Sequence, residues 1–254
     1  MKLLKTVFMF SSLLVATPLC GLAATICAIF DRKGRLWWPI SRIWGWALIS
    51  WGVPTRWGIP QLDVTGYEHV SIERGAILMS NHESYLDPPT LIYLSDIPIR
   101  FLTKKSLFYV PIFGLALLAV GHIPINRRNR SSAFSSLDKA AQTISKGKLV
   151  AIFPEGTRSP TNDLLPFKKG GFVIAIKGGI PIIPVGIAGT RRILPKGWTK
   201  VTTGPVSVVL GEPIDTTGLT LDDREALMTT VRERIEVLRE EAEARRNTAE
   251  VAPG

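Results

Sequence analysis

A histidine followed five residues later by an aspartate, His82 and Asp87, is the pair in this sequence best suited to acid–base chemistry. They lie in Asn81-His-Glu-Ser-Tyr-Leu-Asp87, after the apolar run Ala76–Met79 and before Pro88-Pro89 and the apolar Leu91, Ile92 and Leu94. An apolar run of that length reads as a buried strand. Asp followed by prolines and apolar residues reads as a capped helix start. If the intervening turn folds back, the carboxylate reaches the imidazole, orients it, fixes its tautomer and stabilises the imidazolium, which makes the histidine a general base. The plainer reading is a loop histidine beside a helix-capping aspartate. No nucleophile accompanies the pair: Gly-x-Ser-x-Gly is absent, so Ser84 is a poor candidate for a serine hydrolase. Cys20 and Cys27 lie in an apolar N-terminal stretch and imply neither a disulfide framework nor a metal site. One histidine with scattered carboxylates is no recognisable metal-ligand set, so a metal hydrolase is disfavoured and no metal residue is assigned.

Three further clusters follow apolar runs or lie between them. They are Gly121-His-Ile-Pro-Ile-Asn-Arg127, trailed by Arg128 and Arg130; Phe153-Pro-Glu-Gly-Thr-Arg-Ser159; and Ile182-Ile-Pro-Val185. With the His82 cluster, this ordered set resembles the glycerolipid acyltransferases, and among them the 1-acyl-glycerol-3-phosphate acyltransferases. The resemblance covers about residues 64–210. It implies that His82 is the base that takes the acceptor hydroxyl's proton and Asp87 its orienting partner. It implies that Arg127 and Arg158 bind the glycerol phosphate, with Glu155, Gly156 and Thr157 in the same block. Glu155 would fix Arg158 or bond a glycerol hydroxyl, and Gly156 would allow a tight turn or a close backbone approach. Pro184 is carried as part of the fourth block, with a rigid strand start as its plainer reading.

The chemistry agrees with that implication. A thioester is already activated, so acyl transfer to a hydroxyl needs a base, oxyanion stabilisation and positioning, without a covalent intermediate or a cofactor. A phosphate of about −1.5 to −2 charge suits the guanidinium fork. Lys104, Lys105, Lys168 and Lys169 flank the blocks and are candidates for acceptor phosphate, donor phosphates, an acidic acyl carrier protein or lipid headgroups; a solvated basic face suits each equally. His69 and His122 read as structural. Pro88 and Pro89 have no N–H, so oxyanion donors are sought elsewhere.

The elements that must position these residues follow from pattern. Expected strands are Ala76–Met79, Arg100–Thr103, His122–Ile125, Leu149–Phe153, Ile182–Ile187 and Val206–Leu210. Expected helices are Pro88–Leu94, Ile112–Ala119, Ser131–Ser145, Gly171–Lys177 and Leu221–Arg246, the last with Leu227, Val231, Ile235 and Leu238 in one stripe. Strands alternating with helices predict an α/β fold, a mixed, largely parallel sheet flanked by helices.

The 254 residues fit one domain and an appendage. Residues 1–60 are expected to form a helical membrane anchor, 61–246 the catalytic domain and 247–254 a disordered tail. Thr6–Phe30 carries no charge and is long enough to span about 30 Å of hydrocarbon. Leu22-Ala23-Ala24 resembles a signal-peptide cleavage site, but the apolar run continues to Phe30 and a second, Trp-rich stretch follows from Leu36 to Val53. Five of the seven tryptophans fall between Trp37 and Trp51. Indoles prefer the headgroup level, so a net charge of +10 points to an anionic membrane surface or phosphorylated substrate. No zinc-finger or RNA-recognition signature supports nucleic acid. Basic residues before, between and after the two stretches favour a hairpin or monotopic anchor.

The expected partners are lysophosphatidic acid, acyl-coenzyme A or acyl carrier protein, and the bilayer, with the catalytic domain on the cytoplasmic face of a bacterial inner membrane. Rival readings are acylation of another lysolipid, such as a lysophospholipid or lyso-ornithine lipid, and a catalytically silent membrane-binding module.

Overall fold

The computed structural model describes residues 2–57, 59–125, 130–197 and 201–251. The chain opens with two helices, α1 (Lys2–Phe30) and α2 (Trp37–Ile49), and a minimal hairpin, β1 (Thr55–Arg56) with β2 (Ile59–Pro60). Then come β3 (Leu62–Thr65), β4 (Ala76–Ser80), α3 (Asp87–Leu94), β5 (Ile99–Lys104), α4 (Phe113–Ala119), β6 (Ile123–Ile125), α5 (Arg130–Ile144) and β7 (Leu149–Ile152). The chain closes with α6 (Gly170–Gly178), β8 (Ile182–Ala188), α7 (Thr190–Ile193), β9 (Val206–Leu210) and α8 (Arg224–Val251).

Seven strands form one sheet in the order β3-β9-β8-β4-β7-β5-β6. Every neighbouring pair is parallel except β8 with β9. The expected mixed, largely parallel sheet is therefore observed. Its inner strands β4, β7 and β8 are buried at every residue, as a sheet covered on both faces requires. Ala76 and Leu78 of β4 point into a core shared with α1, α2 and α3. Ile77 and Met79 point into the opposite core, built from α5, α6 and α8. On that second face α8 descends onto β8: a Cβ at Gly186 would lie 2.3 Å from the Leu238 backbone.

This arrangement creates the crevice that holds the site. After β4 the chain leaves through α3 on one face; after the adjacent β7 it leaves through α6 on the other. Connections that depart to opposite faces open a gap at the carboxyl ends of the strands between them. The His82 loop and the Phe153–Ser159 loop start at those two ends.

Three features depart from expectation. β3 is a further strand at the sheet edge, unmarked in sequence because its four residues are each only half-buried and alternate weakly. It is tied down by Arg245 of α8, which makes a two-bond ion pair with Asp63 at 2.8 and 2.9 Å. The last helix continues to Val251, so residues 247–251, expected to be a disordered tail, are helical. The N-terminal helices are built into the fold: Trp37 and Ile49 are fully buried in the same core as the sheet.

Candidate active site

The turn after β4 does fold back, and Asp87 is its hub. It is buried, with 1% of its surface exposed. One carboxylate oxygen, Oδ2, accepts from His82 Nδ1 at 2.7 Å, from the Glu83 N–H at 2.8 Å and from the Ser84 N–H at 2.9 Å. The other, Oδ1, accepts the Thr190 hydroxyl at 2.6 Å. Asp87 is not the cap of its own helix: Leu86 holds that place without a side-chain bond, and Asp87 is already helical. Pro88 and Pro89 sit in the first turn, where missing N–H groups cost the helix nothing. The carboxylate is thereby released from capping and closes the 82–84 turn instead. With every partner donating, the imidazole carries its proton on Nδ1 and presents a lone pair at Nε2, which has no protein partner among the described residues.

A second loop holds His82 from the other side. Its ring stacks on Phe153, centroids 4.0 Å apart. Its N–H donates to Glu155 Oε1 at 2.8 Å, and its carbonyl accepts the Ser159 N–H at 2.7 Å. Glu155 Oε2 accepts the Leu165 N–H at 2.9 Å. Glu155 thus spends both oxygens on backbone donors and acts as a strut under the histidine; of its two expected roles, fixing Arg158 and bonding a glycerol hydroxyl, the first finds no bond among the described residues. Burial pushes its carboxyl above the usual range, and the two N–H bonds oppose that. Gly156 turns the loop with φ of 72°, its N–H bonded to the Phe153 carbonyl at 3.0 Å. A residue with Cβ is strained there. Thr157 is exposed.

Arg158 sits over the Tyr85 ring, its guanidinium carbon 3.2 Å from the ring centroid. Its Nη1 is buried without a hydrogen-bond partner among the described residues. Arg127 lies outside the described residues. Lys104, opposite Ile125 in the β5–β6 register, stands at the carboxyl edge of the sheet. Lys104, Lys105 and Lys168 are exposed. Lys169 is engaged elsewhere, 2.8 Å from Glu225 at the start of α8. Pro184 stands inside β8 opposite Met79, not at a strand start.

Several partners had no signal in sequence. Thr190 is 103 residues from Asp87, and Leu194, whose carbonyl accepts the Ser84 hydroxyl at 2.8 Å, is 110 from Ser84. That bond, with complete burial, removes Ser84 from nucleophilic chemistry. Asn81 extends the sheet by side chain: its amide donates to the Ile187 carbonyl at 2.9 Å and accepts the Ile187 N–H at 2.8 Å. Glu83 is buried beside Arg239 of α8, with closest charged atoms 3.6 Å apart. Burial and then Asp87 push its carboxyl up to about 7, against the pull of Arg239, Asn81 and Arg191. The two remaining histidines are structural. His122 Nδ1 accepts the Phe101 N–H at 2.8 Å, with burial and Arg100 holding the ring near 3, and His69 Nδ1 lies 3.2 Å from the Leu210 carbonyl. Among the described residues no group of three or more His, Cys, Asp or Glu could hold a metal ion.

The Acyltransferase family model matches residues 61–188, from just before β3 to the end of β8. A 1-acyl-sn-glycerol-3-phosphate acyltransferase of Haemophilus influenzae is 31% identical over 223 residues, covering 87% of this chain and 89% of that one. The chloroplastic 1-acyl-sn-glycerol-3-phosphate acyltransferase BAT2 of Brassica napus is 35% identical over 189 residues, 73% of this chain. The match spans about half, 53%, of that longer plant protein. The crystal structure of the 1-acyl-sn-glycerophosphate acyltransferase PlsC from Thermotoga maritima superposes with a TM-score of 0.73 at 26% identity, over 93% of this chain and 95% of that one. A matched family model over half the chain and a full-length relative above 30% identity lead to one conclusion: this chain belongs to the acyltransferase family.

Proposed function

We propose that this protein transfers a fatty acyl group from an acyl thioester to the 2-hydroxyl of 1-acyl-glycerol-3-phosphate, giving phosphatidate. The observation that carries the reading is the His82–Asp87 pair, closed at 2.7 Å through Nδ1 with Nε2 left for a substrate. The acceptor hydroxyl gives its proton to His82 Nε2 as its oxygen attacks the thioester carbonyl. The C–O bond forms, the tetrahedral oxyanion collapses, the C–S bond breaks, and the departing thiolate takes the proton back from the imidazolium. Asp87 stabilises that imidazolium and keeps the ring in the productive tautomer. No covalent enzyme intermediate is needed, which agrees with a buried, hydrogen-bonded Ser84. The N–H groups of His82, Glu83 and Ser84 are all committed, so oxyanion stabilisation falls to groups outside this turn.

Arg158 and Arg127 take the acceptor phosphate in this reading. For Arg158 the support is an unpartnered, buried Nη1 at the rim of the His82 loop; for Arg127 it is the family pattern. The donor is acyl-coenzyme A or acyl carrier protein. Both are anionic, which fits the exposed Lys104, Lys105 and Lys168 and the net charge of +10. The amphiphilic acceptor fits a membrane-associated enzyme, as does α1, whose Thr6–Phe30 segment is apolar and long enough to enter a bilayer. The catalytic domain would then face the cytoplasm, where the thioester donors are, at a bacterial inner membrane.

The test is thiol release from acyl-coenzyme A or acyl carrier protein by purified protein in detergent, with and without lysophosphatidate. Release is expected to require the acceptor, to persist in chelator, and to fall by about 10²–10⁴-fold in His82→Ala. Asp87→Asn is expected to fall comparably, because an amide cannot stabilise the imidazolium. Release without acceptor would make the protein a thioesterase. Preference for a lysophospholipid or lyso-ornithine lipid would move the acceptor, and full activity of His82→Ala would overturn the mechanism.

A further inference from the structure

From Thr6 onward, α1 is packed against the protein on one side and bare on the other. The Thr6 hydroxyl accepts the Val201 N–H at 3.1 Å, Trp51 donates to Ser12 at 2.7 Å, and Trp44 donates to Thr17 at 3.0 Å. Ala24 and Ala28 are buried in the core toward the far end. Val15, Leu22 and Ile29, repeating every seven residues, are 53–70% exposed. A helix standing upright through a bilayer would carry this packed domain into the hydrocarbon with it. The geometry is that of a helix lying along one leaflet.

The catalytic domain continues the bare face. A 3₁₀ turn, Lys105–Tyr109, leads from β5 toward α4. Over this stretch Leu107 is 38% exposed, Tyr109 72%, Val110 43%, Ile112 44%, Leu115 54% and Leu118 65%. Contiguous apolar exposure on this scale marks an interaction surface. The position of α4 against α1 names the partner. A Cβ at Gly21 would lie 3.5 Å from both the Ala116 and Ile112 side chains, so α4 abuts α1 well inside its uncharged segment. Wherever that part of α1 sits, α4 sits beside it. Exposed Lys104 and Lys105 immediately precede this stretch in the chain, and exposed Arg32, Lys33 and Arg35 immediately follow α1. Basic residues bordering an apolar face with an exposed tyrosine match the headgroup layer of an anionic bilayer.

We infer that the 107–118 segment of the catalytic domain inserts into an anionic lipid leaflet beside α1, as a third membrane element that seats the carboxyl edge of the sheet on the bilayer. Lys104 ends β5 at the same edge from which the His82 and Glu155 loops emerge. An acyl-bearing acceptor can then reach His82 from the leaflet without passing through water. The inference rests on the membrane association proposed above and adds the segment of the catalytic domain that takes part.

The experiment uses the full chain, with Cys20 and Cys27 replaced by alanine, in vesicles containing anionic phospholipid. Single cysteines at Leu19, Leu118 and Gln142 carry an environment-sensitive fluorophore. Lipid-borne quenchers are expected to reach the label at 19 and at 118, while aqueous iodide reaches only the label at exposed Gln142 on α5. A label at 118 quenched by iodide like that at 142, with 19 still in lipid, overturns the inference and leaves the anchor standing. Labels at 19 and 118 both in water would sink the membrane reading itself. Leu115→Glu with Leu118→Glu is expected to raise KM for vesicle-borne lysophosphatidate about tenfold and to leave turnover of a short-chain, water-soluble acceptor unchanged. Unchanged KM on vesicles, or equal loss on both acceptors, would count against the insertion.

Discussion

At the scale of single residues, the site is a histidine whose every freedom has been taken away but one. Its ring is held by Asp87 and Phe153, and its backbone N–H and C=O by Glu155 and Ser159, which leaves Nε2. Such restraint supplies positioning, a large part of what acyl transfer from an activated donor requires. Glu83, next in sequence, is a strained choice beside it. Its folded pKa of about 7 lies above the ordinary 4.5, so the folded state holds a proton that the unfolded chain has lost. Stability from this group is fully present below pH 4.5 and is lost as pH rises through 7. Glu83→Gln removes that dependence. Relative to the parent, the variant is expected to gain up to about 3 kcal/mol of stability between pH 4.5 and 8. Thermal unfolding of both proteins at pH 5 and pH 8 measures it; a gap that does not widen with pH would refute the assignment.

At the scale of elements, the His82 loop depends on helices that follow it by more than a hundred residues. α7 supplies Thr190 to Asp87, and α8 supplies Arg239 to Glu83. α8 reaches that place because β8 has a glycine where the helix backbone crosses it, with 2.3 Å between a Cβ at 186 and Leu238. Gly186→Ala forces α8 off the sheet and is expected to cost about 1–3 kcal/mol. Activity should fall with stability, since Ile187, the next residue, is bonded to Asn81 at the root of the His82 loop. Denaturant unfolding against turnover checks both. Unaltered stability would mean that the helix can shift at no cost. The two loops that clasp His82 were visible in sequence as polar blocks following apolar runs. Their mutual contact was not, because Glu155 is 73 residues from the N–H it accepts.

At the scale of the whole molecule, charge and apolar surface act together. The net charge of +10, with exposed basic residues bordering the bare faces of α1 and α4, predicts vesicle binding that tightens with anionic lipid. Raising ionic strength from about 0.1 to 1 M shortens the screening length from about 10 to 3 Å. Sedimentation with anionic vesicles should weaken over that range yet not vanish, because the apolar contribution is not screened. Complete release at high salt would reduce the attachment to charge alone.

What was legible in sequence was what is local. The inner strands announce themselves because a sheet covered on both faces demands continuous apolar runs, and the His82, Phe153 and Ile182 blocks keep their chemistry within a few residues. His82 and Asp87 were legible as a pair because five residues of turn suffice to join them. What only the tertiary structure decided was which distant groups those blocks meet. Setting β7 beside β4 turned Glu155 from an expected partner of Arg158 into the strut beneath His82. Setting β8 on the other side of β4 brought Thr190 to Asp87. Packing α1 along the domain, and α4 against α1, decided which apolar residues face outward. Sheet order and helix docking come from pairings between segments far apart in the chain, and such pairings leave no periodic mark in the sequence of either partner.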